Sequence, residues 1–354
     1  MFAGVLKAID NISYEEREIP PLKDDWILVN VKYAAICGSD IPRVKVKGTY
    51  SFPTVPGHEF SGIISQVGSQ VDGFKPGDRV TVYPLVSCGS CSYCLNGNEN
   101  LCGNYNYLGS RCDGGFAEYV VCPARNVIRV PENVSLEEAA LVEPLSVALR
   151  GVKRAGVKRG GRVIIFGLGP IGLFAIQWAK KNGAVKIVGI DRNAHKLDIA
   201  LRLGADFVLN SNEGDYLQKL HSIKSDYPFD VVLECSGSNL FQDQAITTVK
   251  KGGVISLLGN PQKETSFSEK TFQLLLRNEI TLIGSWNSLI VPGENEWQEV
   301  LHSLSDGTIS AMPVITHRFP LSEIKDVFDN LYERKYDHYC KGIFVVNETE
   351  SDLT

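Results

Sequence analysis

The sequence predicts an α/β protein in two parts, a compact and irregular β domain followed by a doubly wound parallel sheet. Three observations predict it. Short β-like runs broken by turns fill the chain up to about residue 147. After Glu143, strand-like runs alternate with helix-length amphipathic stretches, the texture of a parallel sheet covered on both faces. At 354 residues the chain is also too long for one ordinary core.

The elements follow in order. Residues 26–33 and 62–67 are apolar, β-branched runs and read as strands. Pro76-Gly77-Asp78 reads as a turn entering a strand at 79–82, and 84–109 as a cysteine-bearing excursion from this domain. Arg162–Phe166 begins the alternating part, followed by a helix at 171–182, a strand at 186–190 and a helix at 195–203. Further strands are expected at 207–209, 230–234, 254–258 and 281–283. From about Trp286 the alternation loosens. A strand at 342–346 then returns to the first domain, and 347–354 forms a polar, frayed tail. The expected division is 1–147, 148–286 and 287–354, without internal repeat or low-complexity tract.

Composition excludes several classes of function. The chain is 44% hydrophobic and 22% charged, as soluble globular proteins are. A net charge of −5, with no dense Lys/Arg block, argues against a nucleic-acid partner. The uncharged stretch 163–179 is shorter than the ~20 residues of a membrane span and is broken by Gly167-Leu168-Gly169-Pro170. It reads as a buried strand turning into a buried helix. Met1 to Asp10 carries an acidic residue and no long apolar core, unlike a signal peptide. The expectation is a soluble, cytoplasmic protein without membrane partners.

Nine cysteines are present, and four stand together: Cys88, Cys91, Cys94 and Cys102, spaced Cys-x2-Cys-x2-Cys-x7-Cys among small, turn-forming residues. That spacing lets four thiolates close around one tetrahedral zinc and leaves no position for a substrate. Such a site is structural, and it suits a reducing cytosol better than disulfides do. Cys112, Cys122, Cys235 and Cys340 lack ligand-like spacing and read as core residues.

Gly167, Gly169 and Gly172, with Leu168, Pro170 and Ile171 between them, form a G-x-G-x-x-G run. By itself such a run marks only a tight loop; here it follows an apolar strand and opens a helix, the context that binds a dinucleotide. The first glycine permits the turn, the second admits a pyrophosphate, and the third lets helix and strand approach. The phosphates would rest on the helix N-terminus. Asp191, after the second strand, is placed to accept from the adenosine ribose and to repel a 2′-phosphate, which favours NAD. Arg192, immediately after it, keeps NADP open.

Upstream stand Cys37-Gly38-Ser39-Asp40 and Gly57-His58-Glu59, and much later Glu143-Pro144. A thiolate, an imidazole and a carboxylate from separate segments can hold zinc while leaving a position open. Taken singly, each is most simply a core or hydrogen-bonded residue. Together with Asp113-Gly114-Gly115-Phe116-Ala117-Glu118-Tyr119, the cysteine lobe and the glycine run, they make the chain resemble, over nearly its whole length, the zinc-dependent medium-chain dehydrogenases of the alcohol and polyol superfamily. Cys37 to Arg43, Leu108-Gly109-Ser110-Arg111 and Ile283-Gly284-Ser285-Trp286 place the likeness nearest to the galactitol-phosphate branch.

The resemblance implies a GroES-like catalytic domain built from both chain ends, with a Rossmann domain inserted. It implies a catalytic zinc on Cys37, His58 and Glu143, and a second, structural zinc in the lobe. Glu59 is the alternative carboxylate, with Glu143 then linked through water; Glu143 is favoured. Ser39 matches the family's proton relay, and Asp40 would orient His58. Arg43 and Arg111 are candidate phosphate contacts, and Lys341 a candidate for cofactor phosphate or structural pairing. The implied reaction is NAD-linked oxidation of galactitol 1-phosphate to tagatose 6-phosphate, in a homodimer or homotetramer whose contact is sought at 275–300. A free-polyol dehydrogenase acting on sorbitol, xylitol or butanediol is the runner-up. A zinc-stabilised nucleotide-binding protein without turnover and the zinc-free quinone reductase branch stand further off, because neither needs this ligand set.

Overall fold

The computed structural model of the chain describes residues 1–226, 228–261 and 263–347, so most of the polar tail expected at 347–354 lies outside the described residues. The chain forms two compact units, Met1–Glu143 with Leu289 onward, and Pro144–Ser288.

In the second unit, six strands form one parallel sheet in the order Phe207–Asn210, Lys186–Asp191, Arg162–Phe166, Phe229–Glu234, Val249–Leu257 and Thr281–Gly284. Taken in chain order this is 3-2-1-4-5-6, the doubly wound arrangement of dinucleotide-binding folds, and it reverses direction beside Arg162–Phe166. That strand is apolar throughout because helices cover both of its faces: Val163, Ile164, Ile165 and Phe166 are fully buried. The helix after it, Pro170–Lys181, starts with proline at its first turn and buries every residue from Gly172 to Ala179. The uncharged stretch is therefore a core strand and a core helix. Among the described residues no helix is long and apolar enough to cross a membrane.

The first unit is a seven-stranded sheet. Its main path runs Ile315–Pro320, Lys341–Val345, Trp26–Ala35, Glu59–Val67, Arg79–Val82 and Val127–Arg129, and Tyr119–Pro123 pairs with Trp26–Ala35 as well. Phe60, Phe116, Phe328 and Phe344 lie in its core, with Phe116 and Phe344 edge to face at 5.1 Å. Beyond Trp286, where the alternation was expected to loosen, the structure has two regular helices, Glu296–Ser305 and Ile324–Tyr332. Trp297, Val300, Leu301 and Leu304 are buried along the first, and Ile324, Val327, Phe328 and Leu331 along the second. Both stripes have helical spacing.

Strand pairing sets the site. Ala35 lies opposite Glu59 on one side and opposite Ile343 on the other. Continuing both registers past the strand ends brings Cys37, His58-Glu59 and Lys341 to the same edge of the sheet, and Ile36 N–H donates to the Gly342 carbonyl at 2.9 Å.

Candidate functional site

In the cysteine lobe, Cys91 caps the single helical turn Ser92–Leu95, so Cys91 and Cys94 face the same side. The Cys91–Cys94 sulfurs are 3.5 Å apart, Cys88–Cys94 3.9 Å and Cys91–Cys102 3.9 Å. A disulfide needs ~2.05 Å. Four thiolates on a tetrahedral zinc at ~2.3 Å stand ~3.8 Å apart, so the spacing fits the metal. The N–H of Cys88 donates to Cys102 Sγ at 3.3 Å, and that of Cys91 to Cys88 Sγ at 3.4 Å. Backbone N–H groups of Ser90 and Cys91 lower the Cys88 thiol to about 6, whereas burial and the neighbouring thiols raise that of Cys94.

The second cluster brings together ligand atoms of Cys37, His58 and Glu59, all within 4.8 Å of one another. Asp40, fully buried, is its anchor. One carboxylate oxygen accepts from the Cys37 N–H at 3.0 Å; the other lies 3.4 Å from His58 Nδ1 and accepts from Arg43 at 2.6 Å. Burial alone would raise the Asp40 pKa, but the His58 and Arg43 charges outweigh it and hold the carboxyl below its usual value. Burial likewise opposes a charge on His58, yet Asp40 and Cys37 prevail and raise its pKa well above the ordinary one. The Ser39 hydroxyl donates to Cys37 Sγ at 3.3 Å, on the rim of the cluster.

The two carboxylates take different places. Glu143, the favoured third ligand on sequence grounds, is not among the three converging atoms. It accepts from the Tyr107 hydroxyl at 3.3 Å. Burial, with the Glu59 charge adding against an opposing His58, pushes Glu143 up to about 7. Glu59 joins the cluster and pairs with Lys341 Nζ at 2.5 Å, both side chains almost wholly buried. Lys341 is thus a structural partner. Burial works against its charge, and Glu59 more than restores it. Tyr107, whose ring lies 5.7 Å from that of His58, was not anticipated; no motif marks it.

Glycines hold the His58 loop. Gly57 has φ +95°, and Cβ atoms at Gly109 and Gly114 would stand 2.4 Å and 2.0 Å from its carbonyl oxygen. Gly115 N–H donates to that oxygen at 2.8 Å, and Phe116 N–H to the Pro56 carbonyl at 3.0 Å. The segment 109–116 therefore packs its main chain directly on the loop that presents His58.

Of the two candidate phosphate contacts, Arg43 is engaged by Asp40. Arg111 instead lies across two rings, its guanidinium carbon 4.1 Å from the Tyr50 centroid and 4.4 Å from that of Tyr105.

In the second unit the glycine run forms the turn into helix Pro170–Lys181. Gly167 adopts φ +87°, where a Cβ would press on Ser236. Gly169 caps the helix without a side-chain hydrogen bond, and a Cβ there would meet no described atom within 4 Å. Space is thus left for an anion at the first turn, on the amides that follow Pro170, which has no N–H of its own, beginning with Ile171; Gly172 is packed on the Gly167 carbonyl behind them. Asp191 ends the second strand, accepting from Leu168 N–H at 2.7 Å and Asn193 N–H at 2.9 Å. Arg192 follows it, and its carbonyl accepts from Asn212 at 3.2 Å. The residues fit a dinucleotide.

Comparison with known proteins agrees with this construction. Residues 23–132 match the alcohol dehydrogenase GroES-like domain, and residues 170–306 the zinc-binding dehydrogenase family. The chain is 37% identical over 306 residues to galactitol 1-phosphate 5-dehydrogenase of Escherichia coli strain K12, covering 86% of this chain and 88% of that one. Sorbitol dehydrogenase of Bacillus subtilis strain 168 is 32% identical over 353 residues, covering 98% and 97%. The crystal structure of galactitol-1-phosphate dehydrogenase from Escherichia coli superposes with a TM-score of 0.92 at 33% identity, covering 98% of this chain and 100% of that one. With a GroES-like unit and a Rossmann-type unit in one chain, this protein belongs to the zinc-type alcohol and polyol dehydrogenases of the medium-chain superfamily.

Proposed function

We propose that the protein oxidises a secondary hydroxyl of a sugar-alcohol phosphate, galactitol 1-phosphate to tagatose 6-phosphate, using NAD. The observation that carries the reading is the convergence of Cys37, His58 and Glu59 at one sheet edge. Zinc held there supplies Lewis acidity, the effect that brings bound water to ~7, and NAD supplies the hydride acceptor. The chain's own residues do the rest. Asp40 fixes the His58 ring and the Cys37 backbone. Ser39 would relay the proton that the substrate hydroxyl releases, accepting it on the hydroxyl oxygen while handing its own proton on toward solvent. Asp191 accepts from the ribose hydroxyls and disfavours a 2′-phosphate.

The reading includes two zinc ions per chain, one in each cysteine-containing cluster, and a homodimer or homotetramer. A cytoplasmic location suits a lobe of four thiolates. Similarity to a galactitol 1-phosphate enzyme supports the phosphorylated substrate; similarity to a sorbitol dehydrogenase supports the free polyol as the second reading. NADH absorbance decides between them. The specificity constant for galactitol 1-phosphate is expected to exceed those for galactitol and sorbitol, and a strong zinc chelator should abolish turnover. Equal or better rates on the free polyols would transfer the assignment to the second reading, and absence of turnover on all of them would end both.

A further inference from the structure

We propose that Arg111, clamped between Tyr50 and Tyr105, is the group that recognises the substrate's phosphate, an inference that rests on the polyol-phosphate reading above. Arg111 is a cation without an anion: among the described residues no carboxylate pairs with it, and its Nε is buried with no hydrogen-bond partner. The acid nearest in sequence, Asp113, is occupied by Arg17 and by the Val55 N–H. Arg43, by contrast, already has Asp40 at 2.6 Å. A buried donor left unmatched is costly, and a planar guanidinium with free N–H groups matches the oxygens of a phosphate ester.

Its placement is built. Arg111 N–H donates to the Tyr107 carbonyl at 2.9 Å, and Tyr50 N–H to the Ser110 carbonyl at 3.4 Å, tying the two loops together. The rings at 4.1 Å and 4.4 Å hold the guanidinium flat, so its edge is what it presents. The clamp continues into the metal cluster through neighbouring rings: Tyr105 edge to face with Tyr107 at 6.3 Å, then Tyr107 tilted against His58 at 5.7 Å. Tyr50 and Tyr105 act through Arg111 and are positioning residues.

The test uses the full-length, zinc-loaded protein. Arg111→Met should lower the ratio of specificity constants, galactitol 1-phosphate over galactitol, by about tenfold to a hundredfold, and Arg111→Lys by less, because the fork is lost while the charge stays. Tyr105→Phe should keep the ratio and Tyr105→Leu should reduce it, since the clamp needs the ring and not its hydroxyl. Binding of inorganic phosphate, followed by calorimetry without turnover, should weaken in Arg111→Met and persist in Tyr105→Phe. Circular dichroism checks that each variant is folded. A ratio within twofold of wild type in Arg111→Met, unchanged phosphate binding, or a loss that falls on the KM for NAD would overturn the assignment; the last would make the cofactor's phosphates the ligand. Should the wild type oxidise no polyol, the function proposed above fails, and phosphate binding still judges the clamp.

Discussion

Lys341 and Glu59 meet as a buried ion pair at the edge of the metal cluster, and neither is exchangeable alone. Removing one partner of such a pair typically costs about 3–5 kcal/mol, because the other charge stays buried without compensation. Lys341→Met is therefore expected to lose stability on that scale in urea denaturation. Lys341→Met combined with Glu59→Leu should recover a large part of it. Additive losses would show that the two residues are not coupled. At this scale the sequence is legible where residue types are scarce and motifs short: Cys37, His58 and the four lobe cysteines stand out by identity and spacing. It is not legible where a partner comes from a distant strand. The choice between Glu59 and Glu143 depends on how Trp26–Ala35 pairs with its neighbours, and so does the role of Lys341.

Among the elements, the stretch of the cysteine lobe from Cys88 to Cys102 has almost no core of its own: Cys102 and Asn100 are buried, while Tyr93, Leu95 and Leu101 are exposed. Its order must come from the metal. Cys91→Ser is expected to lower zinc from two ions per chain to one and to reduce the melting temperature, read by metal analysis and calorimetry. Unchanged zinc content would remove the structural site. The strand–turn–helix from Arg162–Phe166 to Pro170–Lys181 is readable because burial on both faces demands an uninterrupted apolar run and the turn demands glycine. Helices Glu296–Ser305 and Ile324–Tyr332 are harder to see. Each is short, and each follows turns and brief strands that interrupt the pattern, although their apolar stripes are regular once the ends are known.

For the molecule as a whole, the parallel sheet of the second unit stops at Thr281–Gly284, which among the described residues pairs on one side only. Nearby Phe272, Leu276 and Trp286 are 50%, 62% and 50% exposed. An edge with apolar neighbours is a natural contact for another copy of the chain, so Trp286→Glu is expected to shift the protein toward monomer in light scattering. A monomeric wild type would exclude the dimer or tetramer. The other sheet has a different consequence. Its middle strand, Trp26–Ala35, is flanked by Lys341–Val345, made hundreds of residues later. While the ribosome is still adding that last strand, the first-made unit has an open seam and an acid with no counter-charge, though the inserted unit can already close. Handling of the nascent chain, or truncation short of Lys341, should therefore strike the metal-bearing half first and spare the nucleotide-binding half.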